Sequence, residues 1–217
     1  MTNTNDLPTL HIIDDDDAVR NSLSMSLSIE GFKTREYASA IDFLSSYEDQ
    51  PGCIVADIKM PNMTGIELQQ ELKNRKIDTP IIFITGQGNI LMSVNAMKSG
   101  AIDFIEKPLA KKDLLQSIHN ALEIDEQTRQ IKSLHKTIRC RCESLTAREK
   151  QILFMLIKER GKLTNRDIAE ELGISKRTVE VHRSSVMTKM LAQTRAELVE
   201  LSKHCDFSEY QPARLQD

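Results

Sequence analysis

The sequence predicts two folded modules: an α/β domain with a doubly wound, five-stranded parallel sheet, followed by an all-α four-helix domain. Two observations support this prediction. In the first half, short apolar runs alternate with amphipathic segments, a pattern that implies a parallel sheet with helices on both faces. In the second half, helix-capping signals are dense, and two predicted helices are joined by a short turn containing Gly173, which is typical of a helix-turn-helix.

Five runs in the first half predict strands. Three of them are almost continuously apolar, as strands buried on both faces should be. The runs are LHII (10–13), FKTREY (32–37), CIVADI (53–58), IIFIT (81–85) and DFIEK (103–107). With the strand order 2-1-3-4-5, the first and third strands are neighbours that flank the topological switch point.

Capping patterns place helices between these strands. Thr64 and Glu67 have the spacing of a capping box, and SAID (39–42) offers a weaker version. Gly31 and Gly100 stand where helix C-termini need a residue in the left-handed conformation.

A charged helix is predicted over residues 121–142. Ile124, Ile131 and Ile138 are spaced seven apart, with Leu134 at a d-type position, which indicates a short coiled-coil seam. A solvated linker helix that packs on its own domain explains the same pattern, and the sequence does not decide between the two.

Capping signals also divide the second module. LTARE (145–149) contains a capping box, and the helix that it opens is expected to end at Gly161. TNRD (164–167) opens the next helix with an acidic box partner, and Ser175 caps the helix after Gly173. The predicted segments are the α/β domain at 1–122, the helical linker at 123–142, the helix-turn-helix domain at 143–208 and a flexible tail at 209–217.

Charge is distributed unevenly along the 217 residues. The net charge is −3, but residues 1–125 carry 11 basic against 19 acidic residues, and residues 126–217 carry 18 against 13. An acidic module and a mildly basic one suggest different partners, and the basic excess permits nucleic acid binding. No run approaches the length of a membrane span and the first residues lack the pattern of a secretion signal, so we expect a cytoplasmic protein.

The cysteines Cys53, Cys140, Cys142 and Cys205 lack the spacing of a disulfide framework, which fits a reducing cytosol. A zinc site at the close-set CRC motif would need two further ligands, for which His135 is the obvious nearby candidate.

Polar side chains follow the strand ends. Asp14 and Asp15 follow the first strand, Asp57 ends the third, and Thr85 and Lys107 end the last two. In an open α/β sheet these ends meet at one edge, where carboxylates can bind Mg²⁺. Each residue has a structural alternative, as a cap, a sheet-end hydroxyl or a surface charge. Because all of these residues stand at strand ends that meet at one edge of the sheet, a magnesium-binding site is favoured over the structural alternatives.

These motifs resemble the signature of a response-regulator receiver domain over residues 8 to about 122. The resemblance implies that Asp57 accepts a phosphoryl group from a histidine kinase, and that Mg²⁺ is held by Asp14, Asp15, Asp57 and the backbone carbonyl of Lys59. Thr85 and Lys107 would then bind phosphoryl oxygens.

The resemblance further implies that Thr85 and Phe104 form a conformational switch and that the Lys107–Pro108 bond is cis. Phe104 as an ordinary core residue is the alternative. Asp16 and Asp17 are read as the start of the first helix, where negative charge suits the helix dipole. Residues 86–108 resemble the FixJ-type branch, in which phosphorylation promotes dimerisation. Val94, Met97 and Ala101 are candidates for that face or for ordinary inward packing.

The second module resembles the LuxR-type DNA-binding domain of the NarL/FixJ family over about 143–205. Ser175–Met190 would then be the recognition helix, with Val179, Val186 and Met190 on its core stripe. The candidates for base or phosphate contact on its other faces are Lys176, Arg177, Thr178, Glu180, Val181, Arg183, Ser184 and Lys189. His182 is read as a structural residue.

The sequence therefore predicts a two-component transcription regulator, whose partners are a kinase, two-fold related promoter DNA, RNA polymerase and a second copy of the chain. It would be no enzyme beyond its own phosphorylation and dephosphorylation. One alternative is a Mg²⁺-dependent phosphohydrolase with Asp57 as nucleophile, which Lys59 disfavours because haloacid-dehalogenase-type enzymes carry a second Asp there. Another is an adaptor whose helix-turn-helix binds protein. An apolar ligand pocket in the first half is not indicated.

Overall fold

The computed structural model describes residues 7–86, 96–158 and 163–207. The chain divides into two compact units, Met1–Gln130 and Ile131–Asp217. Within the described residues, no helix is both long and apolar enough to cross a membrane.

The described residues of the first unit form a five-stranded parallel sheet. Its strands are β1 (Thr9–Ile13), β2 (Lys33–Tyr37), β3 (Gly52–Asp57), β4 (Ile81–Thr85) and β5 (Asp103–Glu106). Their order is β2-β1-β3-β4-β5, which confirms the predicted fold class. Every residue of β1, β3 and β4 is buried, whereas β2 and β5 at the sheet edges are partly exposed. The continuously apolar runs therefore form the central strands of the sheet, and the more polar runs form its edge strands.

Alternation along the strands feeds two separate cores. Ile81 and Phe83 of β4 join one cluster with Phe43, while Ile82 and Ile84 join another on the opposite face. Because successive strand side chains point to opposite faces, a continuously apolar strand is required to fill both cores.

Among the described residues that precede β4, three helices connect the strands, and the capping patterns predict the starts of the second and third. These helices are α1 (Asp17–Ile29), α2 (Ala40–Ser46) and α3 (Gly65–Asn74). Asp16 caps α1 by accepting hydrogen bonds from the backbone of its first turn, and Ser39 caps α2. Thr64 and Glu67 make both bonds of a capping box, which confirms that prediction. Gly31 and Gly100 have the predicted positive φ, at 90° and 82°.

One helix, α4 (Lys111–Glu143), contains the segment for which a coiled-coil seam is one interpretation, and the division between the units falls within it. Ile124, Ile131 and Leu134 are exposed, but Ile138 is buried in the core of the second unit. The four apolar positions therefore do not share one environment.

The N-terminal part of this helix is anchored to the sheet domain. Asp125 is buried and accepts a hydrogen bond from the backbone N–H of Gly52, at 2.9 Å, at the start of β3. Arg129 pairs with Asp125, at 2.9 Å, and with Asp49, at 2.8 Å. Sequence spacing did not indicate this contact, because Gly52 and Asp125 are 73 residues apart.

The second unit continues with α5 (Ala147–Ile157), α6 (Asn165–Leu172), α7 (Lys176–Met190) and α8 (Arg195–Ser202). The predicted capping boxes at the starts of α5 and α6 are both formed, and Ser175 caps α7. Gly173 ends α6 in the left-handed conformation, with φ 63°. Gly161, expected to end α5, lies outside the described residues.

Two of the four cysteines are joined by a disulfide that their spacing did not indicate. Cys142, at the end of α4, forms a disulfide with Cys205, just after α8, while Cys53 and Cys140 are free. The pair is 63 residues apart, and only the helical packing brings its two Cα atoms to 5.4 Å. Within the described residues, no group of three or more His, Cys, Asp or Glu side chains is arranged to hold a metal ion, which leaves the zinc alternative at CRC without support.

Candidate functional site

The acidic residues at the ends of β1 and β3 meet at one edge of the sheet. Ile13 pairs with Ala56 in the parallel register, so Asp14, just after β1, and Asp57, the last residue of β3, lie at the same level. Both are buried, with 1% and 6% of their surface exposed. Two buried carboxylates side by side need a compensating cation, because their charges repel and are shielded from water.

Lys107 supplies that cation. Its Nζ lies 2.9 Å from Oδ2 of Asp14 and 2.9 Å from Oδ1 of Asp57. Burial opposes the charge on Lys107, but the hydrogen bonds to Asp57 and Asp14 outweigh it, so its pKa is raised above the ordinary value. The backbone N–H of Lys107 donates to the carbonyl of Thr85 at 2.7 Å, and the following bond to Pro108 is cis, as the resemblance implied.

The remaining carboxylate oxygens accept hydrogen bonds from the backbone. The N–H of Lys59 donates to Oδ2 of Asp57 at 2.6 Å, and the N–H of Asp16 donates to Oδ1 of Asp14 at 2.9 Å. Arg20 donates to the carbonyl oxygen of Asp14 at 2.7 Å. The run DDDD thus has divided roles, since Asp14 faces the site while Asp16 caps α1.

The donor set suits a hard cation. The carboxylates of Asp14 and Asp57 converge, and Asp15 and Lys59 belong to the two loops that hold them. Mg²⁺ takes oxygen ligands, typically carboxylates and carbonyl oxygens. Asp15 is exposed and is not brought into a three-carboxylate cluster within the described residues. A cation bound to Asp14 and Asp57 would therefore compete with the Lys107 ammonium.

Of the two remaining predicted residues, Thr85 lies at this end of the sheet, whereas Phe104 lies two residue positions further back along β5. Thr85 ends β4 and is buried, with 2% of its surface exposed. Phe104 pairs with Phe83 across β4 and β5, and its partly buried ring packs against the core cluster that contains Phe83. This placement fits both interpretations of Phe104, as a switch residue and as a core residue.

Gly65 is a residue of this site that the sequence motifs did not reveal. A Cβ atom there would lie 2.6 Å from the carbonyl oxygen of Asp57 and 2.9 Å from the ring of Phe83. Its N–H also donates to the carbonyl of Ile58 at 2.9 Å. Only glycine allows α3 to begin this close to the end of β3. The sequence did contain an indication of this role, because Gly65 directly follows the helix cap Thr64, and capping does not require a glycine at that position.

In the second unit, α7 divides into a buried face and an exposed face. Val179, Val186 and Met190 are fully buried, which confirms the predicted core stripe. Five of the residues predicted to contact DNA are exposed: Lys176, Arg177, Glu180, Val181 and Ser184. Val181 leaves 62% of an apolar side chain in water, which contact with a partner would cover.

Comparison with known proteins decides the family. The model of the response regulator receiver domain matches residues 10–119, and that of the bacterial regulatory proteins of the luxR family matches residues 143–202. The transcriptional regulatory protein FixJ of Rhizobium meliloti (strain 1021) is 41% identical over 195 residues, which are 89% of this chain and 94% of FixJ. The chain is a response regulator of the NarL/FixJ family.

Other relatives support the same assignment. The response regulator protein TodT of Pseudomonas putida is 38% identical over 89% of this chain and 85% of its own. The solved response regulator StyR superposes with a TM-score of 0.79 at 40% identity, covering 91% of this chain and 98% of its own. Full-length FixJ from B. japonicum gives a TM-score of 0.54 at 37% identity, covering 91% and 96%. Like its relatives, this response regulator combines a receiver with a LuxR-type DNA-binding domain and regulates transcription in response to phosphorylation.

One residue predicted to contact phosphate, Lys189, also forms an ion pair within the DNA-binding unit of this response regulator. The Nζ of Lys189 lies 2.7 Å from Oε2 of Glu149, which is buried at the start of α5. The Lys189 side chain remains 36% exposed, and its ammonium is paired with Glu149. Arg183 also has a partner within the unit, since its guanidinium donates a hydrogen bond to Oδ1 of Asn165 on α6 at 3.2 Å. Thr178 hydrogen-bonds the capping hydroxyl of Ser175 at 2.7 Å.

Glu149, predicted as half of a capping box, also joins α5 to α7. Besides Lys189 it accepts from the hydroxyl of Ser185 at 2.6 Å and from the backbone N–H of Thr146 at 2.8 Å. Burial raises the pKa of this carboxyl, but the bonds from Lys189, Ser185 and Thr146 outweigh it and lower the pKa to about 2. The recognition helix is thus oriented by a buried ionic contact as well as by its apolar stripe.

Proposed function

We propose that Asp57 is the phosphoryl acceptor of this response regulator, and that a sensor histidine kinase phosphorylates it in a Mg²⁺-dependent reaction. The observation that carries the proposal is the bridge from Lys107 to Asp14 and Asp57, at 2.9 Å each. A lysine already paired with the nucleophile is placed to follow the new charge when a carboxylate oxygen bonds to phosphorus. Phosphoryl transfer depends mainly on such positioning and charge neutralisation.

The roles of the neighbouring groups follow from their positions. Asp14, Asp15, Asp57 and the carbonyl of Lys59 are the proposed ligands of Mg²⁺, which when bound would offset the negative charge of the acceptor and the incoming phosphate. Lys107 and the hydroxyl of Thr85 would bind phosphoryl oxygens. A phosphate adds about −1.5 to −2 charges and three strong acceptors, so it competes with Asp14 for the Lys107 ammonium.

The conformational response is proposed to start at Thr85. Thr85 is buried at the end of β4, and Lys107 and Phe104 lie on the adjacent segment. A movement of Thr85 toward the phosphate would alter the space available to Phe104, whose ring is only partly buried. We propose that this change promotes formation of a homodimer. Val94, predicted at the dimer face, lies outside the described residues, whereas Met97 is exposed and Ala101 is buried.

A groove beside the acceptor offers a surface for the kinase. It has a volume of about 480 Å³ and runs between α1 and the segment from Lys107 to Leu115. Its lining includes Leu23, Leu109 and Lys107, the residue whose Nζ pairs with Asp57. A partner helix seated in this apolar groove would lie next to the acceptor.

The recognition helix α7 is the proposed reader of promoter DNA. Arg177 can bond to guanine or to a phosphate, Glu180 can accept from cytosine, and Val181 can contact a thymine methyl group. Lys176 is the better placed phosphate contact, since Lys189 is paired internally. A dimer that binds two half-sites gains affinity through effective concentration. Contact with RNA polymerase and a cytoplasmic location belong to the same proposal.

The test uses the full-length protein with acetyl phosphate and Mg²⁺. We expect one hydroxylamine-sensitive phosphoryl group per chain, no label on Asp57→Ala, and normal labelling of Asp42→Ala, whose side chain is exposed on α2. Labelled protein should bind its promoter more tightly than unlabelled protein. Sustained turnover of a general phosphatase substrate would instead support a phosphohydrolase, and label retained by Asp57→Ala would refute the acceptor assignment.

A further inference from the structure

The disulfide in the DNA-binding unit opens onto a cavity that plays no part in the proposed signalling. The cavity has a volume of about 450 Å³ and is bounded by the end of α4, the start of α5 and the segment after α8. This volume lies in the range of small-molecule sites, about 300–1,000 Å³. Both sulfur-bearing residues, Cys142 and Cys205, line it.

The two sulfurs differ in access. Cys142 lies in the last turn of α4 with 4% of its surface exposed and belongs to the core of the unit. Cys205 follows α8 and is only partly buried. A thiolate entering the cavity therefore reaches Cys205 more easily than Cys142.

The charges around the cavity are mixed, with a basic excess. Three basic residues line it, Arg139, Lys150 and Lys203, together with two acidic ones, Glu143 and Asp206. The Lys203 ammonium also pairs with Glu200, which is not part of the lining. This pattern complements a small molecule that carries two carboxylates and one ammonium. A simple cationic thiol would meet a less favourable set of charges.

We propose that the Cys142–Cys205 pair is a reversible modification site for a zwitterionic peptide thiol that binds in this cavity. The thiolate forms an S–S bond to Cys205 Sγ while the Cys142–Cys205 bond breaks. The electron pair stays on Cys142, which takes up a proton. A second peptide thiolate then attacks the peptide sulfur of the mixed disulfide. The bond to Cys205 breaks, Cys205 leaves as a thiolate and takes up a proton, and the products are the peptide disulfide and two protein thiols. Disulfides in reducing compartments are typically transient or redox-sensing, which fits this cycle.

The bond closes the DNA-binding unit end to end, across 63 residues. Because a disulfide stabilises mainly by restricting the unfolded chain, and does so more for long loops, opening it should lower the melting temperature of this unit by on the order of 10 °C. The recognition helix shares its core with Cys142. The thiol chemistry is independent of the proposed function, whereas any effect on promoter binding rests on it.

The first experiment counts thiols and locates the adduct in the oxidised full-length protein. Alkylation after denaturation without reductant should label Cys53 and Cys140 only. In Cys142→Ser, oxidised glutathione should form a mixed disulfide on Cys205. Four alkylated thiols after diamide treatment, or an adduct confined to Cys140, would overturn the proposal.

The second experiment tests the cavity itself. At equal thiolate concentration, glutathione should open the wild-type disulfide roughly tenfold faster than cysteamine. The double variant Arg139→Gln/Lys203→Gln, which keeps both cysteines, should bring that ratio close to one, and Cys140→Ser should leave it unchanged. An equal ratio in wild type and double variant would show that the cavity does not select the thiol. Reduction should lower the wild-type melting temperature to that of Cys205→Ser, and an unchanged value would contradict the stabilising role.

Discussion

The Nζ atom of Lys107 lies 2.9 Å from Oδ1 of Asp57, and the same ammonium bridges to Asp14. In this arrangement the protein's own cation neutralises the carboxylates that a magnesium ion would bind. Replacement of Lys107 by Ala should therefore increase Mg²⁺ affinity by about tenfold, since the ion no longer displaces an ammonium. Calorimetric titration with Mg²⁺ measures this directly.

The matched control for this variant is Lys111→Ala, which removes an exposed lysine that pairs with Glu30 at 2.5 Å. Its Mg²⁺ affinity should equal that of the wild type. Weaker Mg²⁺ binding in Lys107→Ala would show that the lysine supports the ion instead of competing with it.

Gly65→Ala should damage the acceptor site through its backbone. The added Cβ would lie 2.6 Å from the carbonyl oxygen of Asp57, so β3 or α3 must shift. We expect a loss of about 2 kcal/mol in the free energy of unfolding, as for an overpacked core, and slower labelling by acetyl phosphate. Gly86→Ala is the control, because a Cβ there meets no described atom within 4 Å. Normal labelling of Gly65→Ala would contradict the prediction.

The contact of α4 with the sheet should depend on Arg129. Arg129→Met leaves the buried Asp125 carboxylate without its cation and should lower the free energy of unfolding by roughly 3 kcal/mol. Arg35→Met breaks an exposed ion pair with Glu48 and should cost less than about 1 kcal/mol. Denaturant unfolding monitored by tyrosine fluorescence compares the two. Equal losses would mean that Asp125 is effectively solvated.

His11 should make the receiver sensitive to mild acid. Burial, assisted by the charge of Arg35, lowers its pKa from 6.5 to about 4. Between these values the unfolded chain takes up a proton that the folded protein excludes, so stability is complete above pH 6.5 and is lost as the pH falls toward 4. The slope approaches about 1.4 kcal/mol per pH unit.

Thermal melts between pH 7 and pH 5 check this prediction. His11→Gln should flatten the dependence, whereas His119→Gln, an exposed replacement, should keep it. The same slope in all three proteins would rule out His11 as the source. Glu149 does not interfere in this range, because its lowered pKa of about 2 affects stability only below the ordinary glutamate pKa of 4.5.

The recognition helix offers a test that separates DNA contact from internal support. Arg177→Ala should weaken promoter binding by about 1–3 kcal/mol without changing the melting temperature. Lys189→Met should lower the melting temperature, because it leaves the Glu149 carboxylate without its cation, and should leave the salt dependence of binding unchanged. If the dimer contacts roughly six phosphates, a plot of the logarithm of the binding constant against the logarithm of the salt concentration has a slope near −5. If promoter binding by Lys189→Met depends less steeply on salt than binding by the wild type, Lys189 contacts a phosphate.

Much of the fold could be predicted because its signals are local. The buried strands β1, β3 and β4 are continuously apolar, and the predicted capping boxes at Thr64, Thr146 and Thr164 are all formed. Side-chain periodicity and caps depend on residues within a few positions of one another, so one sequence is enough to read them. The carboxylates of the site were found for the same reason, since a residue at a strand end is recognised from the strand.

The sequence by itself determined the order of elements, the sheet topology, the family and the identity of Asp14, Asp57 and Lys107 as neighbours. Only the tertiary structure decided which charged side chains pair with each other and which cysteines are joined. Examples are the ion pairs of Lys189 with Glu149 and of Arg129 with Asp125. These outcomes depend on the distance between residues far apart in the chain. That distance is set by how helices and strands pack, and no local pattern encodes it.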